Sequence, residues 1–136
     1  MTPQRSSATS DRLMKPSLIP PASGLAGALV AGDFDRLASM LAADVHMRAL
    51  IPPGPVELSG AAAAAAKFAS WFGGSKSLEL VRTGSDEVGD RLHVFYRLRV
   101  KRSEDPTSIV EQHLFCSLDE GRITSLDLVC SGFRLE

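Results

Sequence analysis

The sequence predicts an α+β domain, with helices first and an antiparallel meander last. Two observations carry this. Residues 91–101 alternate strictly, with Leu92, Val94, Tyr96, Leu98 and Val100 on one face and His93, Phe95, Arg97, Arg99 and Lys101 on the other. A period of two over that length marks a strand with one buried face. Segments at about 107–118 and 122–131 repeat the pattern, whereas the apolar residues before position 73 fall at helical spacing.

Residues 1–20 are rich in Ser, Thr, Pro and charge and read as a disordered tail; the domain is expected over 21–134. Pro20-Pro21 stops any helix coming from that tail. A short helix follows at 22–31, closed by Gly32. Asp33 is a good N-cap for a helix over 34–42, whose Phe34, Leu37, Met40 and Leu41 face the core. The first strand is expected at 45–50, with His46 and Arg48 pointing away from the core. Pro52-Pro53-Gly54-Pro55 makes a rigid turn, with room for a short strand at 55–58. Ser59 can cap a helix over 60–72. Its six alanines favour helix, and Phe68, Trp71 and Phe72 form its large apolar stripe. A strand at 77–83 and a turn at 84–90 lead into the meander.

At 136 residues this is one domain with room for a core. A net charge of −1 gives no electrostatic reason to bind nucleic acid or an anionic membrane. No apolar run approaches the ~20 residues of a membrane helix, and no secretion signal opens the chain, so a cytoplasmic setting is expected. Cys116 and Cys130 read as small hydrophobes rather than a disulfide. No Cys or His spacing resembles a zinc site, and no cofactor is expected.

The Asp119-Glu120-Gly121 loop suggests a register. With Leu118 opposite Arg122, the even face pairs Cys116/Thr124, Leu114/Leu126, Gln112/Leu128 and Val110/Cys130. The odd face pairs Phe115/Ser125, His113/Asp127 and Glu111/Val129. Placing Val100 near Val110 brings Arg99 to Glu111 and Arg97 to His113. His113 with Asp127 is the sharpest chemical pair, because a carboxylate orients an imidazole and favours its protonated form, as acid–base catalysis needs. The same residues also suit a polar cluster, or a dimer interface with Phe95, Phe115 and Val129.

Ala31-Gly32-Asp33-Phe34-Asp35, then Leu41-Ala-Ala-Asp-Val45, a Pro-Gly turn, a helix opening on Gly60 and a closing Gly121-Arg-Ile-Thr124 together resemble the nuclear transport factor 2-like superfamily, in its SnoaL-like branch. The resemblance covers about Ser23 to Phe133. It implies a cone-shaped (cystatin-like) α+β fold enclosing an apolar pocket, often in a homodimer. Superfamily members include isomerases, cyclases, epoxide hydrolases and binders without catalysis, so the fold does not choose among them. In ketosteroid isomerases, two Asp positions correspond here to Ala49 and Leu114; in limonene epoxide hydrolases, the last Asp of the set corresponds to Leu128. Only Arg97 has a counterpart in the hydrolase set.

Three readings follow. The first is a binder of a small apolar molecule, with Tyr96, Gln112, Trp71, Met47, Leu114, Leu128 and Cys130 around the ligand. The second is an isomerase, polyketide cyclase or epoxide hydrolase-like enzyme using His113, Asp127 and Arg97. The third is a dimerisation module with a filled core.

Overall fold

The structure, a computed structural model, describes residues 22–136, so the tail expected over 1–20 lies outside the described residues. The chain order is α1 (Ala22–Ala31), α2 (Phe34–Ser39), β1 (Leu41–Ile51), β2 (Gly54–Ser59), α3 (Ala61–Phe72), β3 (Ser77–Val88), β4 (Arg91–Lys101), β5 (Ser108–Asp119), β6 (Arg122–Cys130) and β7 (Arg134–Leu135). All strands form one sheet in the order β2-β1-β6-β5-β4-β3, with β7 added beside β5. Every pairing is antiparallel except β1 with β6. Irregularities in the β1–β6, β3–β4 and β5–β6 pairings interrupt the register. Such bulges bend a strand and increase its twist, which curves the sheet around the helices.

The helices cover one face. There Val45, Met47 and Ala49 of β1 join Leu92, Val94, Tyr96, Leu98 and Val100 of β4, and Val110, Leu114 and Cys116 of β5. Ile123, Leu126 and Leu128 of β6 complete the sheet side, with Leu25, Leu29, Leu37, Phe68 and Phe72 opposite. Ala64 and Ala65 are the buried alanines of α3, so the helix lies close against its neighbours. Phe68, Trp71 and Phe72 meet edge to face, and Phe133 packs on Phe72 beyond the meander. No described helix is long and apolar enough to cross a membrane.

Several boundaries differ from the sequence reading. The second helix stops at Ser39, because Leu41 pairs with Ile123 and the strand begins there. Asp33 does cap it, accepting from the Arg36 N–H at 3.0 Å. Ser59 belongs to β2 and does not cap α3; Gly60 holds that position at φ 102°, its N–H donating to the Val45 carbonyl at 2.8 Å. The strand expected to end at Thr83 runs to Val88, carried by a partner along the whole of β4.

The two meander registers are also corrected. Asp119 pairs with Arg122 across a two-residue turn, Glu120-Gly121, and the pairing then shifts, so that Gln112 faces Cys130, Leu114 faces Leu128 and Cys116 faces Leu126. On β4, Leu98 faces Val110, Arg97 faces Glu111 and Phe95 faces His113. Each register is displaced by two residues from the expected one. A displacement of two keeps side chains on their predicted faces, because the side-chain period is two; beside the turn, before the shift, it is only one, so Ile123 turns into the core and Leu118 is exposed.

Candidate functional site

The helix-covered face carries two polar side chains at its centre. The Tyr96 hydroxyl donates to Gln112 Oε1 at 2.6 Å, and both residues are 0% exposed. Burial pushes the Tyr96 phenol well above its ordinary pKa, so it stays a neutral donor. Gln112 Nε2 donates to Cys130 Sγ at 3.4 Å, and the Gly132 N–H donates to the same sulfur at 3.3 Å. Met47, Leu114 and Leu128 complete these surroundings, fully or almost fully buried, while Trp71 and Cys130 are partly buried at its edge. The fully unexposed members leave no water-sized space against themselves. Ala49, Leu114 and Leu128 also lie on this face.

Both cysteines are free. Their cross-strand partners are Leu126 and Gln112, so they do not face each other. Burial pushes the Cys116 thiol up to about 12, which keeps it a protonated, inert side chain at neutral pH.

The opposite face of the sheet is open, and all three histidines of the chain stand on it. The strand pairings arrange it in rows. One row reads Pro55, Leu50, Val129, His113, Phe95 and Gly84; the next reads Glu57, Arg48, Asp127, Phe115, His93 and Asp86. The first is mostly apolar, and its Leu50 and Val129 are 55% and 50% exposed. The Cβ position of Gly84 is filled by the Phe95 ring, which a methyl group there would meet at 2.6 Å. Arg82 covers the same ring at 5.0 Å.

The expected His113–Asp127 pair is not formed. The β6 residue opposite His113 is Val129, and Asp127 sits opposite Phe115. Asp127 is held instead by Arg48 Nε at 2.8 Å and Arg91 Nη1 at 2.9 Å. The hydrogen bond from Arg48, helped by Arg91 and opposed by partial burial, keeps the Asp127 carboxyl below its ordinary pKa. Arg91 also donates to the Phe115 carbonyl at 2.9 Å and to Ser125 Oγ at 3.3 Å, so one guanidinium joins β4 to β5 and β6. Its Nε is buried without a partner. Beside these groups lies a shallow groove of about 630 Å³ between Arg48, Leu50, Val56, Arg91, Asp127 and Val129.

The expected Arg99–Glu111 pair is likewise replaced. Arg97 takes Glu111 at 2.7 Å, and Arg99 binds Glu79 and Glu136. His113 joins a different constellation from the one expected. Its Nε2 lies 2.7 Å from Glu111 Oε2, and its Nδ1 lies 3.0 Å from Nε2 of His93. His93 Nδ1 in turn lies 3.2 Å from Asp86 Oδ1. The two imidazoles are nearly coplanar, at 11°, and meet edge to edge through that nitrogen contact. Phe115 lies beside His93 at 4.8 Å and Phe95 beside His113 at 5.3 Å, in planes within 17°. His113 holds the Glu111 carboxyl below its ordinary pKa, with Arg97 adding to the effect and partial burial opposing it. His93, Asp86 and Arg91 were not singled out from the sequence. The alternation already places His93 on the same face as His113; their contact follows only from the register.

Among the described residues, no group of three or more His, Cys, Asp or Glu side chains is arranged to hold a metal ion. His113 also has no ring nitrogen left for a substrate, since both are engaged within the chain.

A curved, mainly antiparallel sheet with helices packed on one face defines a nuclear transport factor 2-like α+β domain. The SnoaL-like domain profile matches residues 23–126, and the chain belongs to that family. Solved structures agree. A protein with a ketosteroid isomerase-like fold from Catenulispora acidiphila DSM 44928, in complex with trimethylamine, superposes at a TM-score of 0.66. It is 16% identical, over 82% of this chain and 85% of that one. A candidate polyketide cyclase from Xanthomonas campestris pv. campestris gives 0.60 at 22% identity, over 79% and 88%. An epoxide hydrolase from M. tuberculosis, similar to limonene epoxide hydrolase, gives 0.58 at 18%, over 80% and 78%. At these identities the likeness is one of fold. No curated protein matches the chain.

Proposed function

We propose that this SnoaL-like domain carries no acid–base set inside its cone and works by association, as a homodimer, through the open face of the sheet. The observation that carries this reading is the half-exposed pair Leu50 and Val129, side by side, lining one groove with Phe115 and separated from Phe95 only by His113. An apolar stripe of this kind marks an interaction surface. A two-fold contact sets a face against its own copy, so that face must not repel itself. Here Arg48, Arg91 and Arg97 stand against Asp127, Glu111 and Glu57, three charges of each sign, which leaves the rims of the stripe close to neutral. Sedimentation of the purified protein tests this. A dimer that becomes monomeric in Val129→Lys supports the reading; a monomer at high micromolar concentration refutes it.

A second reading keeps the pocket. Tyr96 and Gln112 are polar groups in apolar surroundings with Trp71, Met47, Leu114, Leu128 and Cys130, as small-ligand sites are built. A small apolar molecule would enter only if the Tyr96–Gln112 bond opened. Native mass spectrometry of protein purified from its own host tests this: a retained small molecule that is lost in Gln112→Leu would favour the pocket.

A further inference from the structure

The contacts from Asp86 through His93 and His113 to Glu111 fix a proton count. Three hydrogen bonds are present: Asp86 to His93, His93 to His113, and His113 to Glu111. A carboxylate only accepts, so both outer bonds need a proton on a ring nitrogen, and the middle bond needs a third. Two neutral imidazoles supply two N–H groups between them. The complete chain of bonds therefore belongs to a pair that carries one extra proton. With fewer protons one bond is lost. With one more, both facing nitrogens carry hydrogen across 3.0 Å, and two cations lie edge to edge.

We propose that this pair is a proton-operated control on the open face: two copies of the chain associate while His93 and His113 share a single extra proton, and a second proton separates them. The inference rests on the reading of that face as a self-association surface. Its force comes from how little negative charge remains to offset a second imidazolium. From β3 the pair faces Asp86, which is solvent-exposed, and Arg82. From β4 it faces Arg91 and Arg97, and from β5 Glu111, already shared with Arg97 at 2.7 Å. From β6 comes Asp127, committed to Arg91 and to Arg48 of β1. His46 of β1 lies further along the same face, bound to Glu57 of β2 at 2.7 Å. Seating a second copy would remove water from this set, and an unpaired charge left there opposes burial. Loss of the His93–His113 bond also frees the Phe95 and Phe115 rings that flank it, so the apolar stripe loses its shape together with its neutrality.

The test is sedimentation equilibrium of the wild type from about pH 5 to about pH 9, which passes ordinary histidine titration on both sides. The expected result is a dissociation constant with a minimum where the pair holds one extra proton, rising at least about tenfold towards the acid end, the effect of roughly one additional proton per protomer over part of the interval. His113→Gln, which cannot take up a proton, should flatten that response, while His46→Gln should keep it. A dimer of equal strength throughout, or one that only strengthens towards acid, overturns the inference and leaves the association reading standing. A monomer throughout overturns the association reading, and this inference with it. Imidazole nitrogen resonances of the wild-type protein give a readout that needs no variant. Two separate protonation steps shared by His93 and His113 are expected, and simultaneous, independent titration of the two rings would overturn the proton count.

Discussion

Tyr96 and Gln112, directly opposite on β4 and β5, share a 2.6 Å hydrogen bond at a point where neither has any surface exposed. Each satisfies the other, so removing one strands its partner. Gln112→Leu should destabilise the domain by ~1–3 kcal/mol, because the buried phenol loses its acceptor. Tyr96→Phe should cost a similar amount. The double variant should cost clearly less than the sum, since no polar group is then left unpaired. Urea unfolding of all four proteins measures this, and additive costs would show that the bond contributes little.

The faces of the sheet were legible in the sequence; the partners across it were not. Alternation assigns Leu92 to Val100, Val110 to Cys116, and Leu126 and Leu128 inward, as observed, but it leaves Ile123 outward, where the register shift beside the turn brings it into the core. That signal has a period of two, and it cannot separate His113 opposite Asp127 from His113 opposite Val129. Turn chemistry and a bulge decide between them. The parallel pairing of β1 with β6, which brings Arg48 to Asp127, left no local trace either, since it joins segments 79 residues apart. The candidate site was therefore visible as a set of residues on one face, and the contacts within it were not.

Asp127 and Glu111 should make the fold sensitive to acid. Both are held below the ordinary carboxylate range, Asp127 first by its hydrogen bond from Arg48 and Glu111 first by His113. A group with a depressed folded-state pKa stabilises the fold above its unfolded value, about 4, and that contribution is lost as pH falls through the folded value. Unfolding free energy should decline below about pH 4. Asp127→Asn should be less stable than wild type at neutral pH and should show a shallower decline. Parallel pH profiles of the two proteins would refute the role given to Asp127.

Gly84 holds space for the Phe95 ring. A Cβ there would stand 2.6 Å from Phe95 Cε1 and 3.0 Å from Cζ, well inside contact distance. Gly84→Ala should therefore displace Phe95 and Arg82 and cost ~1–3 kcal/mol through overpacking. Gly27 is the control, since a Cβ there meets nothing closer than 3.7 Å, and it lies within a helix where alanine is favoured. Thermal unfolding should lower Tm for Gly84→Ala and raise it slightly for Gly27→Ala. Equal shifts would mean that the ring moves aside freely.

The β5–β6 turn carries a correctable strain. Glu120 has φ 52° and Gly121 φ 80°, so both central residues of the two-residue hairpin are left-handed. Glycine adopts that conformation freely and asparagine tolerates it, whereas glutamate carries a Cβ penalty without a local hydrogen bond to offset it. Asn-Gly is the pair that such a turn favours. Glu120→Asn should stabilise the domain by ~0.5–1 kcal/mol, a gain of the size seen when a residue fits its backbone. Gly121→Ala should destabilise it by at least as much, because its φ is positive with no alternative in a turn this short. Denaturant midpoints of the two variants decide the matter. If Glu120→Asn proves less stable than wild type, the Glu120-Gly121 geometry, and with it the register that separates His113 from Asp127, is wrong.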